Sequence, residues 1–318
     1  MSHSTVLVPT PPTAAHITAP HTTAPPTTAP PTTAPAPRGT DRAPRYVPLL
    51  STDADEVAAA QRLRHDVFAT ELGANLVEAR DGRDIDRFDA FCDHLLVREE
   101  DSGTIVGCYR MLPPHAARAA GGLYTETEFD ITALAPQRHQ LVETSRSCVH
   151  PDHRTGAVMS LMWSGILRYL VLTGNRWVLG CASVPLGNGE TRGSYAAGVR
   201  RLVLAGGLAP EHHRVHPLHP VVLDGVALAD VPVPPRPALP PLLKGYLRLG
   251  ATVCGEPALD TDFGVADFAV LLGLDDIDPR YVRRLVGPHQ CAPCLPPSTR
   301  GCRAARATPG ACRRTRRS

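Results

Sequence analysis

Between residues 54 and 272 the apolar positions alternate between a helical period and short continuous runs. Over residues 54–72, Val57, Ala60, Leu63, Val67 and Phe68 recur on one helical face, and Gly73 is a natural stop. Residues 94–98 and 105–112 are apolar runs flanking Asp101-Ser-Gly-Thr104, which predicts an antiparallel hairpin ended by Pro113-Pro114. Residues 141–149 predict a third strand, with Glu143, Ser145 and Ser147 on one face and Arg146 and Cys148 on the other. A turn-forming stretch, 150–156, leads into an apolar helix over 158–172, stopped by Gly174-Asn175. Residues 177–182 read as a buried strand, 194–204 as a helix, 242–249 as a short helix ending at Gly250. Residues 251–254 and 266–272 read as the last strands. The order predicts a mixed α/β plan with a strand–loop–helix unit at its centre.

Composition sets the limits of this folded part. Residues 1–44 hold 11 Pro and 11 Thr with a near-repeat of Thr-Ala-Pro-Pro-Thr, so they bury too little apolar area to offset ordering entropy and are expected to be a disordered tail. Residues 287–318 carry seven Arg and no acid, and read as a basic disordered extension. The Cys291-Ala-Pro-Cys294 spacing there, with Cys302 and Cys312, offers four thiolates to Zn²⁺, but no strand pattern surrounds it, and no metal centre is expected. Residues 45–286 form the domain, with a Pro/His-rich insertion at 208–241.

The overall formal charge of +2 hides an asymmetry: with both tails set aside, residues 45–286 are net −6, which argues against nucleic-acid binding. The longest apolar run, 157–172, is interrupted by Arg168 and falls short of the roughly 20 residues of a spanning helix. No charged-then-apolar leader precedes it, so a cytoplasmic protein is expected, with its Cys92, Cys108, Cys148, Cys181 and Cys254 as reduced core residues.

Three stretches carry candidate chemistry. The strand running into Arg154-Thr-Gly-Ala-Val158 and a helix presents free N–H groups and the positive end of a dipole, a setting for phosphate; an ordinary strand–helix turn has the same pattern. It is neither a P-loop nor a dinucleotide fingerprint. Glu143 lies inside a strand, which is costly unless it is catalytic or paired with an Arg at the sheet surface. Asp86, Asp89 and Asp93 form a dense negative stretch, either a site for a cation or a solvated loop with Asx turns.

Arg64-x-x-x-Phe68, Asp86-x-x-Asp89, Gly107-x-Tyr-Arg110 and Glu143-x-x-Arg146-x-x-Val149 together resemble the signature of acyl-homoserine-lactone synthases. Longer stretches are closer to the L-ornithine Nα-acyltransferases of ornithine-lipid synthesis. These are Phe88-Asp-x-x-Cys-Asp-His-Leu-Leu-Val97, Tyr124-Thr-Glu-x-Glu-Phe-Asp130, Ser145-Arg-Ser-Cys-Val-His-Pro-Asp-His-Arg154, residues 240–251, Pro257-Ala-x-Asp260 and Phe263-Gly-x-x-Asp267. The resemblance covers roughly residues 45–285. It implies the GNAT (acetyltransferase-like) fold, a mixed central sheet flanked by helices. It also implies transfer of a 3-hydroxyacyl group from acyl carrier protein to the α-amine of L-ornithine.

On that resemblance Glu143 is the base and Glu143 with Arg146 the catalytic pair, with oxyanion donors near Val149. Val149, Arg154, Thr155, Gly156, Ala157 and Val158 hold the phosphopantetheine arm, the only cofactor expected, and one that arrives with the donor. The single-glycine loop fits that arm rather than coenzyme A. Arg64, Asp86, Asp89 and Arg110 serve the acceptor, with Arg64 alternatively a structural partner of Asp86 or Asp89 and either Arg110 or Arg146 pairing the acceptor carboxylate. Arg138, Arg154 and Arg168 are candidates for carrier docking; Met111, Leu112, Met159, Met162 and Trp163 are candidates for the acyl cleft. Peripheral contact with the inner membrane face accompanies a lipid product. Other acceptors (S-adenosylmethionine or another amino acid), an acetyl-CoA enzyme, and a non-catalytic lipid- or protein-binding module are the competing readings.

Overall fold

Two strands, Ile105–Leu112 and Val265–Gly273, are buried at every position, as continuous apolar runs should be when both faces of a sheet are covered. They belong to one nine-stranded mixed sheet in the computed structural model, which describes residues 4–6, 44–187 and 191–286. The strands are β1 (Ser4–Val6), β2 (Tyr46–Ser51), β3 (Asp93–Glu99), β4 (Ile105–Leu112), β5 (Leu141–Val149), β6 (Trp177–Pro185), β7 (Thr252–Val253), β8 (Ala258–Asp260) and β9 (Val265–Gly273). Their order is β1-β2-β3-β4-β5-β6-β9-β7, with β8 also on β9. Every pair is antiparallel except β5–β6, which a helix crossover joins.

That parallel pair is short. Leu141, Val142 and Glu143 pair with Trp177, Val178 and Leu179; beyond them the strands separate, while β6 stays with β9 along nine residues. The sheet therefore opens into a wedge whose apex is Glu143. Gly180 follows the last paired residue, and a Cβ there would stand 2.6 Å from the Thr144 carbonyl oxygen. Because that obstacle is backbone, Gly180→Ala is expected to lower unfolding free energy by about 1–3 kcal/mol in urea titrations. A wild-type midpoint would show that the wedge relaxes freely.

A second irregularity lies on the other side of β5. Cys108 pairs with Cys148 and Arg110 with Ser145, so Arg146 and Ser147 together face Tyr109: β5 carries a bulge. Arg146 has φ 54°, the left-handed region, which costs a non-glycine residue about 1–3 kcal/mol and is held by its surroundings. The bulge breaks the alternation read from the sequence. Arg146 joins Glu143, Ser145 and Cys148 on one face, where it meets Asp84 and Asp86, as Ser145 meets Arg110.

Helix α1 (Ala54–His65) starts on Asp53, whose carboxylate accepts from the N–H groups of Asp55 and Glu56, and runs on as a wider π-helical turn over Asp66–Glu71. It packs on β4 and β5. The opposite face receives α3 (Gly156–Thr173), following the short α2 (Pro114–Ala119). By length and composition α3 could cross a membrane, but half of it is buried against the protein. Then come α4 (Ser194–Gly206), α5 (Pro241–Leu249) and α6 (Pro279–Val286). The 208–241 segment is irregular but ordered, and sinks Val221, Leu223, Leu228 and Val231 into the α3-side core. Cys92, Cys108, Cys148, Cys181 and Cys254 are all free thiols. Of the predicted N-terminal tail, Ser4–Val6 pairs with β2. Residues 7–43 and the predicted basic tail, 287–318, lie outside the described residues.

Candidate active site

The wedge holds a cavity of about 800 Å³. Glu143, Ser145, Arg146 and Ser147 line it from β5, Cys181 and Ser183 from β6, and Val265, Asp267, Val270 and Leu272 from β9. Trp163, Ile166 and Leu167 of α3 and Leu242, Tyr246 and Leu249 of α5 form its apolar end. A second cavity of about 290 Å³ lies beside it and shares Tyr124, Arg146, Asp260 and Phe263 with it. Two compartments thus meet at four side chains.

Glu143 is only 2 % exposed but lines the larger cavity. Its Oε1 accepts from the Thr125 N–H (2.7 Å) and hydroxyl (2.5 Å), and its Oε2 from the Tyr124 N–H (2.7 Å). Those donors start a short 3₁₀ turn, Tyr124–Thr127. Burial raises the Glu143 carboxyl above its ordinary range, opposed by the Thr125 and Tyr124 hydrogen bonds. Oε2 keeps a lone pair for one further donor.

Of the residues read from the sequence as acceptor contacts, Arg64, Asp89 and Arg110 line neither cavity and are engaged with one another and their neighbours, whereas Asp86 lines the smaller cavity. Arg64 is fully buried and spends its guanidinium on Asp84 (2.8 Å), on both Asp89 oxygens (2.8 and 2.9 Å) and on the Asp84 carbonyl. Arg110 bonds Asp86 and Ser145 and lines neither cavity. Asp86 Oδ1 takes Arg110 and the Phe88 N–H, and its Oδ2 takes Arg146 at 3.2 Å. Arg64, Arg110 and Arg146, far apart in sequence, thus pair with Asp84, Asp86 and Asp89, leaving one nitrogen of Arg110 without a hydrogen-bond partner among the described residues. Arg64 is a structural partner of Asp89 and Asp84, not of Asp86. Burial raises the Asp89 carboxyl, but the Arg64 hydrogen bonds and charge outweigh it and hold it at about 2.

Arg146 alone among these arginines reaches the cavities, and it lines both. It is held by Asp84 (3.1 Å) and Asp86, with the rings of Tyr124 and Phe263 at 5.4 and 4.9 Å.

The donor residues occupy a different surface. Val149 pairs with Gly107 in the ladder, outside the cavity; the bulge residues Arg146 and Ser147 line it instead. Thr155, Gly156 and Ala157 are exposed at the start of α3, Thr155 makes no side-chain cap, and Val158 is buried. Arg154 forms a bidentate pair with Glu71 (2.6 and 2.5 Å), itself on the cavity wall. Arg168 is 7 % exposed, so it cannot meet a docking partner, whereas Arg138 is on the surface with Glu126. Of the five side chains expected in the acyl cleft, Trp163 lines the cavity; Met111, Leu112 and Met162 are closed core, and Met159 is half-buried away from the cavity wall.

Sequence reasoning assigned no role to Thr125, Cys181, Glu128, Asp260 or Asp267. One signal was available: Asp267 interrupts the apolar run Val265-Ala-Asp-Phe-Ala-Val270. Glu128, Cys181 and Asp267 bring ligand atoms within 4.8 Å of one another, a spacing that could hold a metal. Burial keeps the Cys181 thiol protonated, with a pKa well above normal.

A family model described as Acetyltransferase (GNAT) domain matches residues 63–164. The L-ornithine N(alpha)-acyltransferase of Agrobacterium fabrum is 36 % identical over 248 residues, which cover 73 % of this chain and 82 % of that protein. The enzyme of the same name from Rhodobacter capsulatus is 33 % identical, covering 76 % of this chain and 96 % of its own length. Among solved structures, an N-acyl amino acid synthase from uncultured soil microbes aligns over 74 % of this chain and 93 % of its own, with 15 % identity and a TM-score of 0.43.

Proposed function

The chain belongs to the L-ornithine N(alpha)-acyltransferase family, and from that premise we propose that it moves a 3-hydroxyacyl group from acyl carrier protein to the α-amine of L-ornithine, giving lyso-ornithine lipid. The observation that carries this reading is the wedge: an apolar-ended cavity with a carboxylate at the apex and a second, polar compartment next to it. The acyl chain lies toward Trp163, Ile166 and Leu167, with the thioester beside β5. The acceptor enters through the smaller compartment.

The amine must lose a proton before it can attack. Glu143 takes it, directly or through one water. The nitrogen then adds to the thioester carbonyl, the N–C bond forms, the C–S bond breaks, and the carrier's thiol leaves with a proton. The bulge at Arg146–Ser147 supports the oxyanion, because its extra residue lies outside the ladder and both residues line the cavity. Arg146 pairs the acceptor's carboxylate. Thr155, Gly156 and Ala157, with Arg154 and Val158 flanking them, receive the pantetheine phosphate at the uncapped start of α3. The reaction takes place in the cytoplasm, with peripheral membrane contact as the lipid is released.

Mass spectrometry of lipids from cells with and without this chain tests the reading. Nα-(3-hydroxyacyl)ornithine should appear only with the chain; acyl-homoserine lactones in its place would refute it.

A further inference from the structure

We propose that Glu128 and Asp267, with Asp260 beside them, form a subsite for the second, side-chain ammonium of the acceptor, and so make the enzyme select diamino acids. This rests on the acyltransferase reading above and names what that site recognises.

The acids of the site fall into two groups. Glu143 has three donors, and Asp84, Asp86 and Asp89 have arginines. Glu128 and Asp267 have no arginine; they lie against each other, with Tyr124 close to Glu128 and Ser183 close to Asp267. They are 8 % and 3 % exposed, yet among the described residues neither Glu128 oxygen nor Oδ1 of Asp267 meets a hydrogen-bond partner. Glu128 lines the smaller cavity, Asp267 the larger, and Asp260 both. Asp260 is already positioned: its Oδ1 accepts from the N–H groups of Asp262 and Phe263, and its Oδ2 from the Tyr124 hydroxyl at 3.4 Å.

Buried carboxyls a few ångströms apart are costly without a cation. Burial pushes both Glu128 and Asp267 up, and the charge of Asp267 pushes Glu128 further. The charge of Arg146, which is held by Asp84 and Asp86, lowers Asp267, but less than burial raises it. What is missing is a small cation with several donors. A primary ammonium offers three N–H groups on a compact charge, where a guanidinium is planar and broad.

The reach also fits. Tyr124 spans the site, its backbone N–H on Glu143 and its hydroxyl on Asp260. A base for the α-amine and the acidic cluster are therefore about one tyrosine apart, a gap that an extended three-methylene diamine bridges.

The test compares L-ornithine with L-norvaline, the same skeleton without the second amine, in wild type, Glu128→Gln and Asp267→Asn. Removing a charge-assisted contact should cut the ornithine-to-norvaline ratio of kcat/KM about 10- to 100-fold, chiefly through KM for ornithine. A wild type indifferent to the second amine, or variants that lose both substrates in parallel, would overturn the assignment. Calorimetric titration of ornithine without any acyl donor separates the two claims. Ornithine binding that weakens in both variants supports the subsite even if no acyl transfer is found. Stoichiometric Zn²⁺ in the purified protein, lost on Glu128→Gln, would replace the ammonium by a metal and refute it.

Discussion

Exchanging Glu143 for Gln should lower acyl transfer to ornithine by about 10²–10⁴-fold, the usual value of general-base help. The substitution is nearly isosteric, so the wedge keeps its shape. It is not silent for stability, however. The amide oxygen can keep both Thr125 contacts at 2.7 and 2.5 Å, but its NH₂ then faces the Tyr124 N–H, donor against donor. A loss of about 1–3 kcal/mol is expected in denaturant titration. The pH profile separates the two effects. Burial places the Glu143 carboxyl above its ordinary range, so the wild-type rate should fall on the acid side at a pH higher than about 4.3, where Glu normally titrates. In Glu143→Gln that acid limb should vanish along with the rate. A variant that turns over at the wild-type rate removes Glu143 from the chemistry.

Replacing Arg64 by Leu should be the most destabilising single change in the site, by about 3–5 kcal/mol, because it strands two buried carboxylates. Asp84 and Asp89 would lose four contacts to one guanidinium and retain only those made to the other arginines and, for Asp89, the hydrogen bond from the Asp86 N–H. Arg64→Lys should recover only part of this, since an ammonium cannot serve both acids in the planar, forked geometry seen here. The network also fixes a pH window. Asp89 titrates at about 2 when folded and near 3.9 when unfolded, so its contribution is complete above about pH 4 and disappears as pH falls through 2. Arg64→Leu should shrink that acid dependence to what Arg110 and the Asp86 N–H still supply. A variant with an unchanged urea midpoint would contradict the role given to the cluster.

The strands were readable because their signals are local. The runs 105–112 and 141–149 are bounded by Gly, Pro and turn residues, and the observed strands have those same limits. β2 escaped notice because Pro48 breaks its pattern; Pro48 lies beyond the three residues that β1 covers, where a missing N–H costs nothing on that side. The bulge at Arg146 was not legible: strict alternation assigns Arg146, Ser147 and Cys148 to the wrong faces, and only the register with β4 shows the extra residue.

The same distinction holds for the site. Glu143 stood out as a charge inside an apolar strand. Asp86 and Asp89 looked like a vacant anionic patch because Arg64 and Arg110, the arginines that consume them, come from other elements. Conversely, Glu128 and Asp267 stood in stretches that carried the resemblance, with Asp267 an acid inside an apolar run, but no role followed, because only the meeting of a loop with β9 brings them together without an arginine.

The most direct measurement is reconstitution: the purified chain, 3-hydroxyacyl-acyl carrier protein and L-ornithine, with the products weighed by mass spectrometry. The account predicts a mass equal to ornithine plus the acyl group, less one water, with the amide on the α-nitrogen. No amide from ornithine, or acylation of S-adenosylmethionine under the same conditions, would contradict it.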